Sequence, residues 1–238
     1  MPTVPPSSAD IQTMFDRLAP RYDLFNRLTS LGLDASWRKR ALKGLKPGAR
    51  VLDIGCGTGD LSLMAIRRVL PGGQVTGIDF SEAMLGRARA RQLREGLNGS
   101  TPLVFLRHSA EELPLAGERF DWAVSGFVLR NIYERIDAIL TGVLQSLKSG
   151  GTLRLLDFTE PNDAVRRALW RAYLNSAGAL FGALLFGRQY PHRYLTESAK
   201  RFVKPEEFLR KLSKAGFVNV SAKRFMMGSI VLYEATRP

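Results

Sequence analysis

A glycine-rich turn that follows a short apolar run is the segment of this sequence with the clearest chemical meaning. The run Val51–Ile54 predicts a buried strand, and a helix is predicted to begin at Asp60. Glycines between them would let main-chain N–H groups approach a ligand where any Cβ would collide with it. The N-terminus of the helix adds a partial positive charge that suits a carboxylate. We therefore expect a ligand site here that includes Asp53, Gly55, Gly57 and Gly59.

The spacing of the glycines indicates which ligand the turn would hold. A nicotinamide dinucleotide fingerprint would place its third glycine at position 60, where this sequence has Asp60. An acid in the first helical turn is awkward beside a pyrophosphate but tolerable beside an amino-acid moiety that carries an ammonium group. The spacing therefore favours S-adenosylmethionine over NAD. A glycine-rich turn without any ligand remains the alternative.

Three further segments could complete the same site. Asp79 ends the next predicted strand, where a carboxylate can accept hydrogen bonds from ribose hydroxyls, although an acid that merely starts a helix is the alternative. A loop after the third strand is expected to cover adenine, and the end of the fourth strand is expected to face the methionine part. The residues assigned in these segments are Asp79, Phe80, Ser109, Ala110, Ser125 and Gly126. Arg130 and Asn131 come next, where a substrate should meet the methyl group.

These segments need a sheet to bring them together, and the sequence alternates predicted strands with helices. Such alternation predicts an α/β fold with a doubly wound, mainly parallel, seven-stranded sheet. We expect an N-terminal helical cap over residues 1–48 and a second domain over residues 49–238, with a helical insertion at about 162–200. The predicted strands are Arg50–Ile54, Gln74–Asp79, Leu103–Arg107, Phe120–Ser125, Thr152–Phe158, Phe217–Val220 and Ser229–Ala235, the last two as a closing antiparallel pair.

Composition narrows the classes of partner. The chain has 35 Lys and Arg against 22 Asp and Glu, a formal net charge of +13, which favours nucleic acid, an anionic membrane face or simply a basic, soluble surface. One cysteine and two histidines argue against a disulfide framework and a metal cluster, so no metal is expected. The start shows no secretory signal, and the longest apolar stretch, Ala177–Phe186, is shorter than a membrane span. A cytoplasmic location is therefore expected.

Almost the whole chain resembles the ubiquinone/menaquinone biosynthesis C-methyltransferases, which include demethylmenaquinone methyltransferases. The resemblance rests on MFDRLAPRYDLFNRLTSLGLDASWRKRAL at Met14–Leu42, FVLRNI at Phe127–Ile132, LKSGGTLRLLDFTEP at Leu147–Pro161 and PHRYLTES at Pro191–Ser198. It implies a class I S-adenosylmethionine-dependent methyltransferase, whose cofactor positions fall on Thr58, Asp79, Ser109 and Ala110. The chain departs from the family pattern with Asp34 for histidine, Gly126 for serine and Val128 for glycine. It also departs after the fifth strand, where LDFT, with Asp157 and Thr159, stands for L-E-F-S.

The resemblance also implies a reaction. It is methylation of a ring carbon of a polyprenyl quinol, in the first place demethylmenaquinol to menaquinol. Arg130 would stabilise the developing phenolate, and Asn131 would orient the ring hydroxyl. Tyr22, with Asp23, would close over the pocket. The proton acceptor would be water, Asp34 or another acid.

The insertion is the expected contact with lipid. Its apolar centre, Ala177–Phe186, could line a tunnel for a polyprenyl tail, and basic flanks could rest on anionic lipid at the inner face of the membrane. These flanks are Arg166, Arg167, Arg171, Arg188 and Arg193. A buried core helix or a homodimer contact is the alternative.

Other functions remain open at this stage. They are methylation of another lipid or small molecule, methylation of RNA, and cofactor binding by a non-catalytic relative. Nucleic acid is not expected as a partner, because the sequence has neither an Asn/Asp-Pro-Pro-aromatic motif nor a Pro-Cys nucleophile.

Overall fold

The fold is built on one seven-stranded sheet, as the strand pattern predicts. The computed structural model describes residues 8–115, 119–187 and 204–238. The strands follow the order β3-β2-β1-β4-β5-β7-β6. They span β1 (Arg50–Ile54), β2 (Gln74–Asp79), β3 (Leu103–Arg107), β4 (Phe120–Gly126), β5 (Leu147–Phe158), β6 (Val218–Phe225) and β7 (Ile230–Thr236).

The first five strands run parallel, which brings their carboxyl ends to one edge of the sheet. β7 is antiparallel to both β5 and β6 and lies between them. β1 is central, and in it Val51 and Leu52 are fully buried on opposite faces. The closing pair is therefore antiparallel as predicted, with the later strand on the inside.

Helices cover both faces of the sheet. They span α1 (Ser8–Leu18), α2 (Tyr22–Thr29), α3 (Asp34–Ala41), α4 (Asp60–Val69), α5 (Glu82–Arg94), α6 (Leu129–Ile132), α7 (Ile136–Ser146), α8 (Ala164–Phe186) and α9 (Pro205–Lys214). One face is covered by α3, α4 and α5, which pack with Val51, and the other by α7 and α9, which pack with Leu52.

The N-terminal helices differ in how they join this core. The predicted helical stretch between Tyr22 and Leu45 breaks at Leu31 and Gly32, both with positive φ, which separates α2 from α3. α3 contributes buried Trp37 to the same apolar cluster as the strands.

The insertion contains the long helix α8, which runs beside α2. The Phe25 and Phe186 rings meet edge to face at 5.8 Å between centroids. Among the described residues, none of the helices is long and apolar enough to cross a membrane. The remainder of the predicted insertion, with Arg188 and Arg193, lies outside the described residues.

Candidate active site

A cavity of about 350 Å³ opens at the carboxyl ends of β1, β2 and β4. This is the edge at which ligands bind in open parallel sheets. Most of the residues assigned from the sequence line it: Tyr22, Asp53, Gly55, Gly57, Thr58, Asp79, Phe80, Ser109, Ala110, Gly126 and Asn131. The structure therefore brings together five segments that are far apart in the chain.

The glycine turn forms one wall through its bare backbone. Gly57 has φ +54°, and a Cβ built there would meet no heavy atom within 4 Å. Because Gly57 lines the cavity, that empty space is where a ligand would approach the main chain. Gly55 has φ +65° and a different constraint, since its Cβ would lie 2.7 Å from Val128 Cγ2.

Asp79 connects the turn to the start of α5. Its Oδ2 accepts a hydrogen bond from the Gly57 N–H at 2.9 Å, and its Oδ1 accepts one from the Ser81 N–H at 2.9 Å. Burial raises the pKa of Asp79, while these backbone hydrogen bonds oppose the rise. Each carboxylate oxygen has a second lone pair, so the group can still accept hydrogen bonds from ribose hydroxyls.

Asp53 lies on β1 and is completely buried. The Ser62 hydroxyl donates to its Oδ2 at 2.6 Å, whereas Oδ1 has no hydrogen-bond partner among the described residues. Burial raises the pKa of Asp53 to about 7. A buried carboxylate oxygen without a partner, in a wall of the cavity, fits the ammonium group of an amino-acid moiety. The residues present thus fit S-adenosylmethionine.

Asp53, the glycine turn and Asp79 form the part of the cavity that we call the donor half. Aromatic and apolar side chains line the cavity beside it. The Phe15 ring from α1 meets the Phe80 ring edge to face at 6.4 Å. Met84 is buried and also lines the cavity. His108 lines it too, next to Ser109 and Ala110.

Two residues assigned to the donor from the sequence do not reach the cavity wall. The Ser125 hydroxyl turns inward and donates to the Ile54 carbonyl at 2.7 Å. Gly59 precedes α4 with φ +86°, and its Cβ would meet Phe105 at 3.0 Å and Ala88 at 3.1 Å. Gly59 therefore allows the turn to pack closely against Phe105 and α5. At the end of β4, Gly126 rather than Ser125 forms the wall of the cavity.

Arg130 is also absent from the residues that line the cavity. Its guanidinium lies 5.8 Å from the centroid of the Phe158 ring and acts on buried Asp157. Burial raises the pKa of Asp157 to about 6, against the opposing charge of Arg130. The Asp157 Oδ2 accepts from the Leu129 N–H at 2.8 Å. The charge of Arg130 therefore acts on the carboxylate that binds the start of α6, and its side chain does not line the cavity in which the phenolate is expected.

Asp34 does not line the cavity either, because its carboxylate is held by neighbouring cations. Arg27 Nη1 donates to Oδ1 at 2.9 Å, Arg38 Nη1 donates to Oδ2 at 2.5 Å, and the Ser30 hydroxyl donates to Oδ1 at 3.0 Å. These contacts hold the carboxylate away from the cavity, so it does not reach a substrate there. The role of Asp34 as the proton acceptor stays a prediction.

The Asp34 contacts begin a series of ion pairs that we call the charge chain. It continues from Arg38 to Asp60 at 3.2 Å, from Asp60 to Arg91 at 2.8 Å and from Arg91 to Asp23 at 3.3 Å. Asp23 also accepts a hydrogen bond from the Thr58 hydroxyl of the glycine turn. Burial raises the pKa of Asp60, but Arg38 and Arg91 outweigh it and the net pKa lies below its usual value. The charge chain is therefore a fixed connection between the N-terminal helices and the turn.

Several cavity residues are missing from the sequence-based site. Phe127 lines the cavity with φ +63°, a costly backbone conformation for an aromatic residue and one that clusters at functional sites. Among the residues that the structure describes, the arginines that line it are Arg38 and Arg135. The spacing of Asp34 and Arg38 at i and i+4 predicts a helical ion pair, but gives no sign that Arg38 faces a cavity. Besides Phe15, Met84 and His108, the remaining ones are Gln12, Cys56, Asp60, Leu61, Ile78, Glu111, Val128 and Ile132.

Comparisons with known proteins agree with this geometry. A sequence model of the ubiE/COQ5 methyltransferase family matches residues 5–237. The chain is 34% identical over 232 residues to the demethylmenaquinone methyltransferase of Bacteroides fragilis, covering 97% of this chain and 93% of that protein. It is 37% identical over 231 residues to the ubiquinone/menaquinone biosynthesis C-methyltransferase UbiE of Syntrophotalea carbinolica, covering 96% and 94%.

The fold is similar to that of solved methyltransferases. The crystal structure of a SAM-dependent methyltransferase from Aquifex aeolicus matches with a TM-score of 0.61 at 20% identity, over 84% of this chain and 89% of that one. At this level of identity the likeness shows the fold alone.

Proposed function

The chain belongs to the ubiE/COQ5 methyltransferase family, and on that premise we propose that this S-adenosylmethionine-dependent methyltransferase acts on a ring carbon of a polyprenyl quinol. Demethylmenaquinol is the substrate we favour, because relatives that cover nearly the whole chain are named for it. The observation that carries the proposal is the cavity, in which the glycine turn and Asp79 lie together with apolar and aromatic side chains.

The donor half orients the reacting group. When bound, S-adenosylmethionine supplies a methyl group on a sulfonium, an electrophile for an electron-rich ring carbon. Asp79 would hold the ribose and Asp53 the ammonium group, and the open space at Gly57 would let the amino-acid end approach the backbone closely. Such positioning is worth up to about 7–11 kcal/mol of a barrier in well-oriented reactions.

The apolar side chains of the cavity suit an aromatic ring. They belong to Phe127, Val128 and Ile132, together with Tyr22 from α2. Asn131 is the polar side chain of α6 at this wall, and its carboxamide would orient a ring hydroxyl. In our proposal Arg130 acts through Asp157, whose carboxylate binds the Leu129 N–H, and thereby sets the position of Asn131.

The test is methyl transfer from labelled S-adenosylmethionine to reduced demethylmenaquinone in detergent. We expect label in the quinone, and we expect Asn131→Ala to lower kcat with little change in the affinity for the donor. Reduced demethylated ubiquinone precursor in a parallel reaction determines which ring is preferred. Label that appears in RNA, or donor binding without transfer to either quinol, would contradict the proposal.

We further propose that α8 rests on an anionic lipid surface, from which a polyprenyl substrate would reach the enzyme. Of its 23 residues only Gly182 is buried. Large apolar side chains at helical spacing are exposed along it: Val165, Leu169, Leu180 and Leu184. The net charge of +13 suits an anionic partner. None of the described α8 residues lines the cavity, so this exposed face supports surface contact better than the expected tunnel.

A further inference from the structure

Arg38 is a nearly buried arginine in a wall of the cavity, with 8% of its side chain exposed. It comes from α3, whereas the rest of the donor half comes from the strands and the turns after them. The centre of its guanidinium lies 5.4 Å from the centroid of the Phe127 ring. A guanidinium in such a place needs acceptors for its five N–H groups, since it does not lose its charge.

The acceptors that Arg38 has are shared with other arginines. Asp34 binds Arg38 and also Arg27, and Asp60 binds Arg38 and also Arg91. Neither carboxylate is therefore available to Arg38 alone. Arg38 lines the cavity together with Asp60, so its charge is not reserved for the N-terminal helices.

The position of Arg38 indicates which end of the cavity this charge serves. Its partner Asp60 is the first residue of α4, directly after the glycine turn. Its charge also acts on Asp53, whose pKa it lowers against the larger effect of burial. Arg38 thus lies at the same end of the cavity as the buried, unpaired oxygen of Asp53.

We propose that Arg38 binds the carboxylate of the methyl donor, opposite the ammonium group held by Asp53. The inference rests on the proposed donor site and deepens it. A cation and an anion placed at one end of the cavity match the two charges of an amino-acid moiety. Because Arg38 belongs to α3, an N-terminal helix would take part directly in donor binding, and the charge chain would hold its guanidinium in place.

The test compares two donors by calorimetry without any quinol. Decarboxylated S-adenosylmethionine keeps the ammonium and sulfonium groups and lacks only the carboxylate. Wild-type protein should bind S-adenosylmethionine at least about thirtyfold more tightly, the lower range for truncation of a buried, hydrogen-bonded charge pair. In Arg38→Gln the ratio of the two affinities should fall to less than about threefold.

Two variants make the comparison selective. Arg40→Gln removes an arginine of the same helix that lies over the Phe225 ring and does not line the cavity, and it should keep the wild-type ratio. Arg38→Lys keeps the charge without the planar fork and should give an intermediate ratio, which serves if Arg38→Gln does not fold.

Each outcome has a definite meaning. Equal affinity of the wild type for both donors overturns the role of Arg38, and so does an Arg38→Gln protein that loses both affinities with the ratio unchanged. Failure of the wild type to bind either donor overturns the proposed donor site as well. Normal discrimination without transfer to a quinol leaves Arg38 in its role and contradicts the proposed acceptor.

Discussion

Asp53 and Asp79 are both buried acids of the donor half, but their hydrogen bonds differ. Asp79 accepts hydrogen bonds from two backbone N–H groups, whereas one oxygen of Asp53 has no hydrogen-bond partner among the described residues. Burial without full compensation explains why the pKa of Asp53 reaches about 7. Asp53 is therefore the acid of this site whose charge would change near neutral pH.

This pKa predicts a pH dependence of donor binding. As the pH rises from 5.5 to 7.5, Asp53 loses its proton and gains the charge that attracts an ammonium group. The affinity for S-adenosylhomocysteine should therefore rise, by up to about tenfold per pH unit below the pKa, and level off above it. Calorimetry across this range measures the effect. A curve of equal slope in Asp53→Asn would show that another group is responsible.

Gly57 offers a test of the close backbone approach. Gly57→Ala places a Cβ in the cavity at φ +54°, so donor binding should fall by at least about tenfold and unfolding free energy by about 1–2 kcal/mol. Gly150→Ala is the matched control, because Gly150 has φ +77°, equal free space and no place in the cavity. It should cost similar stability and leave donor affinity unchanged. Equal donor affinity in both variants would contradict the assignment of Gly57.

The sequence predicts well those cavity residues whose place follows from their position at the end of a strand. Asp79 and the glycine turn end parallel strands, and any such sheet brings these ends together. Ser125 and Gly126 show where this reasoning fails, since adjacent strand residues face opposite sides and only the packed sheet shows which one faces the ligand. Arg38 was missed because its direction depends on how α3 docks.

At the scale of elements, the sequence predicts the bounds of helices and strands closely where buried apolar residues recur at a regular spacing. The bounds of β1, β2 and β3 agree with the sequence pattern, because each is a short apolar run between turn residues. β6 extends to Phe225, whereas the sequence predicts its end at Val220. The prediction is too short because the later residues alternate between half-buried and exposed and form no apolar run. The exposed face of α8 could not be predicted, since a helical period does not reveal what covers it.

The exposed face of α8 leads to a prediction about membranes. Binding to vesicles that contain anionic lipid should weaken about tenfold or more in Leu180→Ser/Leu184→Ser, because two exposed apolar side chains would be lost. Vesicle sedimentation measures this, and binding should also weaken as salt is raised. Leu93→Ser changes an equally exposed leucine on α5 and should have no effect. A protein dimer that hides α8, seen by sedimentation velocity, would contradict the lipid contact.

At the scale of the whole molecule, the N-terminal helices are not equally separable from the sheet. Leu42 is fully buried and packs, with Trp37, in the same apolar cluster as Val51. α2 is different, since none of its residues is buried. The expected division at residue 48 stays a prediction, and this packing favours a boundary before α3.

Truncation tests where that boundary lies. A chain that starts at Asp34 should keep a cooperative thermal transition, whereas one that starts at Ala49 should lose it. Each large apolar side chain removed from the core forfeits about 1.5–3 kcal/mol, against a typical total stability of about 5–15 kcal/mol. Calorimetric melting distinguishes the two. A cooperative transition of similar temperature in the shorter chain would place the boundary at residue 48.

The place of β7 in the sheet has a consequence for biosynthesis. β7 pairs with β5 but is made after β6, so a nascent chain displays the bare edge of β5 until residues 230–236 have left the ribosome. The half of the sheet from β1 to β4 has its partners much earlier. Translation that stalls between β5 and β7 should therefore yield a chain in which β1 to β4 are paired and the apolar edge of β5 is exposed. We expect this form to bind chaperones or to aggregate.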